Sequence, residues 1–129
     1  MGSGGKILIV DDEHLSAMVM EIFLRERGFD VRVAASAEEA IRICDGFTPD
    51  LLLTDHLLGE GLSGTELAQH LEQRCGALRT FVLTGLPRED VEPNAAGLQH
   101  ARIFVKPVDL DDLHDAILQV VHSEAPINR

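Results

Sequence analysis

The chain reads as an α/β domain in which a doubly wound parallel sheet of five strands is covered by helices on both faces. Three observations predict it. Short apolar runs alternate five times with segments whose apolar residues recur at helical spacing. The runs are apolar throughout rather than alternating, as strands buried on both faces are. The segments between them are long enough to be helical crossovers, which join parallel strands with a right-handed turn.

Taken in order, Lys6 to Val10 (KILIV) is the first strand, stopped by Asp11-Asp12-Glu13. A helix follows, with Leu15, Met18, Val19, Ile22 and Phe23 predicted as its buried stripe and Gly28 as its end. Val31 to Ala34 is the second strand. Ser36-Ala37-Glu38-Glu39 is a capping box ahead of Ala37, Ala40, Ile41 and Cys44 on one face. Pro49-Asp50 introduces the third strand, Leu51 to Thr54. Ser63-Gly64-Thr65-Glu66 is a second capping box, before Leu67, Ala68, Leu71 and Cys75. Thr80 to Thr84 and Ile103 to Val105 are the last two strands. Between them, Pro87, Pro93 and Gly97 allow only a short or broken fourth helix. The fifth helix starts near Asp109, with Leu110, Leu113, Ile117, Val120 and Val121 on one stripe and acids in its first turn, where the macrodipole favours them.

The 129 residues suit one domain. Residues 1–5 read as a cloning scar, 6–122 as the domain, and 123–129 as a tail or the start of a linker. Acidic residues outnumber basic ones 22 to 11, and a net charge of −11 disfavours direct contact with nucleic acid or an anionic membrane surface. No apolar stretch approaches the roughly 20 residues of a membrane span. Cys44 and Cys75 lack CxxC spacing and sit in helical patterns, so they read as buried reduced thiols, which fits a cytoplasmic location. The histidines at 14, 70, 100, 114 and 122 show no zinc spacing.

Ligands of an open parallel sheet collect beyond the carboxyl ends of its strands. Here those positions hold Asp11, Asp12, Asp55, Thr84 and Lys106. Three carboxylates suit a hard dication such as Mg2+, which keeps waters and expects a phosphate oxygen. A carboxylate is also a nucleophile for phosphoryl groups, whose in-line transfer needs mainly positioning and charge neutralisation. Two other phosphate chemistries fit less well. In Gly59-x-Gly61-x-x-Gly64 four residues, Asp55 to Leu58, separate the strand from the first glycine, too many for a dinucleotide-binding turn, so these glycines read as loop flexibility. A phosphatase of the haloacid dehalogenase type needs a second acid two residues after the first, where this chain has Leu57.

The ordered set KILIVDDE, LLLTD, FVLTG and FVKP resembles the response-regulator receiver domains of two-component signalling, over nearly the whole chain. The resemblance implies a flavodoxin-like, CheY-like sheet in the order 2-1-3-4-5 and a cis peptide between Lys106 and Pro107. It implies that Asp55 is the phosphoacceptor, that Asp12 and Asp55 bind Mg2+ directly with Asp11 supporting through water, and that the Leu57 carbonyl is a further ligand. Thr84 follows the phosphoryl group and Lys106 pairs with it. The phosphodonor is a histidine kinase or a histidine phosphotransfer protein, and a second copy of the chain is a further partner. Such a domain catalyses its own phosphorylation and dephosphorylation without being a conventional turnover enzyme. Its parent would be a longer regulator or a hybrid histidine kinase. The competing expectation is a degenerate receiver that docks without turning over phosphate.

Several positions depart from the family pattern. Gly59 stands where a proline is usual, and the loop to Gly64 is one residue longer. Ile103 takes the place of the switch aromatic; Phe104 is one residue off and faces the other side of its strand. Leu57 and Leu86 would flank the phosphoryl group and obstruct water. His56 is expected to be a partly exposed loop residue, since strand alternation turns it away from Asp55. The acids from Asp109 to Asp115 are expected to form a solvated helix face.

Overall fold

The computed structural model describes residues 5–59, 61–76 and 78–121. All but Gly5 of the expected scar, and the expected tail, lie outside them. Strands β1 (Lys6–Val10), β2 (Asp30–Ala34), β3 (Leu51–Asp55), β4 (Arg79–Thr84) and β5 (Ala101–Val105) alternate with helices α1 (His14–Glu26), α2 (Ala37–Ile43), α3 (Gly64–Cys75), α4 (Arg88–Ala95) and α5 (Leu110–Leu118). The sheet is parallel in the order β2-β1-β3-β4-β5. Lys106–Pro107 is cis.

Strand alternation splits the core into layers. Ile7, Ile9, Leu51, Leu53, Phe81 and Leu83 face α1 and α5, where Leu24, Leu113 and Ile117 cover them. Leu8, Val10 and Leu52 face α2 and α3, against Ala40, Leu67 and Leu71. A third, smaller group joins Val82 and Ile103 to Val91 of α4. Phe104 packs on the opposite side, its ring 5.0 Å from that of Phe81, so the one-residue offset does reverse the face.

The helix ends follow their local chemistry. Gly28, at φ 92°, lets Phe29 and Gly28 donate to the carbonyls of Leu24 and Arg25, closing α1 in a Schellman turn. Ser63 and Glu66 exchange both bonds of a capping box at α3. At α2, Ser36 accepts from Glu39 N–H, while the Glu39 carboxylate reaches Ala35 N–H instead of Ser36. Asp109 caps α5 by accepting from Asp112 N–H. The acids of α5 are solvent-exposed, as expected. α4 is short but unbroken, with Pro93 inside it.

Two expectations are corrected. α1 buries Ala17, Met20 and Leu24, whereas Leu15, Met18, Val19 and Ile22 are exposed and Phe23 only half-buried. The helix is apolar on more than one face, and packing against α5 and β2 selects the other one. The two cysteines are free but half-buried. Burial, with Cys75 beside it, pushes the Cys44 thiol up to about 11.

Candidate functional site

The chain turns at the carboxyl ends of β1, β3, β4 and β5, and these turns bring five side chains together. β1 is extended by a bond from Asp11 N–H to the Ala34 carbonyl, which carries the Asp11 side chain to the sheet edge, buried. Its Oδ1 accepts from Glu13 N–H at 2.8 Å, a local turn that leads into α1. Asp12, next along, is exposed. Asp55 ends β3 and is 8% exposed. Carboxylate oxygens of Asp11, Asp12 and Asp55 lie within 4.8 Å of one another.

Lys106 follows β5, and its N–H to the Thr84 carbonyl, 2.7 Å, fixes it beside β4. Its Nζ is 2.7 Å from Asp55 Oδ1. Thr84 is buried, and its Oγ1 accepts from Leu86 N–H at 2.9 Å, so its own hydroxyl proton remains to be donated. A cavity of about 230 Å3 opens between Asp55, Thr84, Gly85 and Lys106, with Leu57 and Leu86 at its rim. Leu57 is 63% exposed.

Crowding of like charge sets the electrostatics. Burial first, then Asp55 alongside, raises the Asp11 carboxyl from 3.8 to about 6. Burial works against the charge on Lys106, but the hydrogen bond and charge of Asp55, backed by Asp11 and Glu13, outweigh it and hold the ammonium above its ordinary value. The donor set is all oxygen and anionic, and it suits a hard dication better than a soft one.

The family model of the response regulator receiver domain matches residues 7–118. The chain belongs to that family. The receiver is 30% identical to sporulation initiation phosphotransferase F of Bacillus subtilis strain 168, over 87% of this chain and 90% of the relative. It superposes with TM-score 0.81 on a CheY-like receiver from Methanospirillum hungatei, at 26% identity over 89% of this chain and 91% of the other. A Burkholderia pseudomallei response regulator, described with a phosphorylated aspartic acid, calcium ion and citrate, aligns with TM-score 0.79 and 25% identity over 87% of the receiver and 65% of that chain. Other relatives are longer, and the receiver spans 61% and 35% of two of them. Among the described residues no helix is long and apolar enough to cross a membrane.

The structure brings Asp11, Asp12, Asp55 and Lys106 together and lines the adjoining cavity with Thr84 and Leu57, but two neighbours behave differently from expectation. Gly64 is more than a flexible link. A Cβ there would overlap the Asp55 carbonyl oxygen and come 2.9 Å from its carbon and from Thr54 Oγ1. Gly64 N–H also donates to the His56 carbonyl at 2.8 Å, so a hydrogen at Cα lets α3 begin against the end of β3. Gly59 and Gly61 serve the loop differently, through φ of 80° and 94°. His56, expected to be partly exposed, is 5% exposed. It does point away from Asp55 by alternation, but α4 covers that side. The signal available for Gly64 was its position just inside the Ser63 cap; nothing local marked His56.

Proposed function

We propose that this receiver accepts a phosphoryl group from a phosphohistidine onto Asp55, with Mg2+ as cofactor, and hands the altered state to a partner. The observation that carries this reading is the meeting of three carboxylates within 4.8 Å, one of them 2.7 Å from Lys106, at one end of a parallel sheet. Asp12 and Asp55 would hold the ion directly, Asp11 through water, and the Leu57 carbonyl would complete the protein's share. When bound, the ion supplies positive charge to the equatorial oxygens of the group in transfer.

The chain's own residues do the rest. An Asp55 carboxylate oxygen attacks phosphorus in line; the N–P bond breaks, its electron pair stays on the donor imidazole, and that ring takes up a proton. Lys106 turns from the carboxylate toward the phosphoryl oxygens, and Thr84 donates its hydroxyl proton to one of them. Leu57 and Leu86 stand where an attacking water would approach, which slows hydrolysis and lengthens the phosphorylated state.

The donor is a histidine kinase or histidine phosphotransfer protein, and α1 is the face it would meet. Leu15, Met18, Val19 and Ile22 are exposed there, Leu15 by 65%. A groove of about 710 Å3 runs from Leu15 and Val19 past Asp11 to Asp55 and Lys106. An exposed apolar stripe leading to the reacting carboxylate suits an amphipathic helix that carries a histidine. The domain is taken as residues 6–122 with 123–129 as a tail or the start of a linker, in the cytoplasm where such donors present their phosphohistidine. The longer relatives, both named as regulators, favour a longer regulator as the parent.

Intact-mass spectrometry after incubation with an acyl phosphate and Mg2+ tests the proposal. One added phosphoryl group, absent from Asp55→Asn and after chelation, is the expected result. No added mass, under conditions that modify an authentic receiver, would replace it with a phosphorylation-independent docking module.

A further inference from the structure

α4 is tied to the acidic site at both ends and otherwise packs on β5 and α3 through Val91 and Ala95. Its entry continues from β4 through Thr84, Gly85, Leu86 and Pro87, with Leu86 N–H bonded to Thr84 Oγ1. Its far half reaches the residue after Asp55, where the side-chain amide nitrogen of Asn94 lies 3.4 Å from His56 Nε2. Between these points Val91 is the buried anchor, with Ala95 half-buried beside it. Pro93 has no N–H to return to the Glu89 carbonyl, so a rung of the helix is missing. A helix of eight residues with one fully buried side chain and one half-buried alanine has few contacts to resist a shift once a polar tether yields.

His56, in contrast, is fixed. Its N–H donates to the Leu83 carbonyl at 2.9 Å, and its carbonyl accepts from Gly64 N–H at 2.8 Å. The imidazole is buried, and Nδ1 finds no partner among the described residues. An apolar side chain would fill that space without an unpaired polar atom. The contact that distinguishes histidine there is the one from Nε2 to Asn94. In the tautomer with its proton on Nδ1, Nε2 accepts from the Asn94 amide.

We infer that the His56–Asn94 hydrogen bond is a latch that holds α4 in the position seen here and yields when Asp55 is phosphorylated. The inference rests on the phosphoacceptor reading of Asp55. Thr84 hangs from β4 and His56 from β3, so drawing Thr84 toward a phosphoryl group displaces one end of α4 relative to the other. The single bond at Asn94 is the weakest joint in that path. Ile103 and Val91 contribute an apolar contact with no directional preference, which a sliding helix keeps. His56 touches no reacting atom and is a positioning residue.

Linkage makes the latch measurable. A bond that favours the resting position opposes every ligand that favours the displaced one, by the same factor. Removing it tightens binding of a phosphoryl analogue by about two- to tenfold, the range one net hydrogen bond supplies. The probe is beryllium fluoride with Mg2+, and the variant is Asn94→Ala, an exposed position that leaves the core intact. The expected result is tighter analogue binding, together with backbone amide NMR signals of residues 88–95 that already lie, without analogue, toward their bound positions. His56→Gln, which keeps a partner for Asn94, should behave as the parent, and His56→Leu as Asn94→Ala. Unchanged affinity with α4 signals at their resting positions in Asn94→Ala overturns the latch. Where the parent takes no analogue at all, the phosphoacceptor reading fails instead. Hydrogen exchange in α4 then tests the holding half of the latch by itself, faster exchange in Asn94→Ala supporting a bond that restrains the helix and unchanged exchange overturning it.

Discussion

The flanks of the site formed by α1 and α4 are built in opposite ways. α1 has thirteen residues, closes in a Schellman turn, and buries Ala17, Met20 and Leu24 while exposing apolar side chains toward solvent. α4 has eight residues, a proline inside, one buried side chain and an otherwise polar surface. The first is rigid and apolar outside, as a docking platform requires. The second is lightly held, as a moving part requires. Asp55, the proposed phosphoacceptor, lies between them, so under that proposal one group would be loaded from one side and read on the other.

The largest expected effect breaks the rigid flank. Leu24→Ala removes a fully buried side chain and should cost about 3 kcal/mol of global stability, read as a shift of the denaturant midpoint. Val91→Ala should cost only about 1 kcal/mol, and it should raise hydrogen exchange in α4 well before α1. Equal protection loss in both helices would refute the asymmetry. Gly64→Ala acts on the post beneath α4: its methyl pushes against the Asp55 carbonyl and displaces the partner of His56. About 2–3 kcal/mol of destabilisation, with altered α4 amide signals in NMR spectra, is the expected outcome.

A smaller effect sharpens the picture on the α1 side, through pH. Asp11 titrates near 6 when folded and near 3.8 otherwise, so between those values the folded protein binds more protons than the unfolded chain. Stability of the metal-free protein therefore falls as pH rises from about 4 to about 6 and is level above, by on the order of 1 kcal/mol after solvent screening. Asp55→Asn should reduce that slope, and chemical denaturation in chelator at several pH values would show it. The smallest expected change in stability is at the surface of α1. Val19→Ser with Ile22→Ser should stay within about 0.5 kcal/mol of the parent. The same pair should slow transfer from a phosphohistidine protein by about tenfold while leaving reaction with acyl phosphate unaltered. Equal rates with both donors would remove α1 as the docking face.

The sequence by itself determined the parallel sheet, the strand ends and the residues that meet there. Continuous apolar runs state that a strand is covered on both faces, and a polar residue at the end of such a run has to emerge at the sheet edge. Asp11, Asp55, Thr84 and Lys106 were legible for that reason, and so were the Ser63 and Asp109 caps, whose partners lie three residues away. The buried side of α1 was not legible, because Leu15, Met18, Val19 and Ile22 keep helical spacing as well as Ala17, Met20 and Leu24 do. Periodicity gives the pitch, but packing against α5 and β2 sets the phase. The burial of His56 and the need for Gly64 were decided only by tertiary structure. Each depends on where a later helix lands, α4 over one and α3 against the other, and local spacing carries no record of a contact made 38 residues further on.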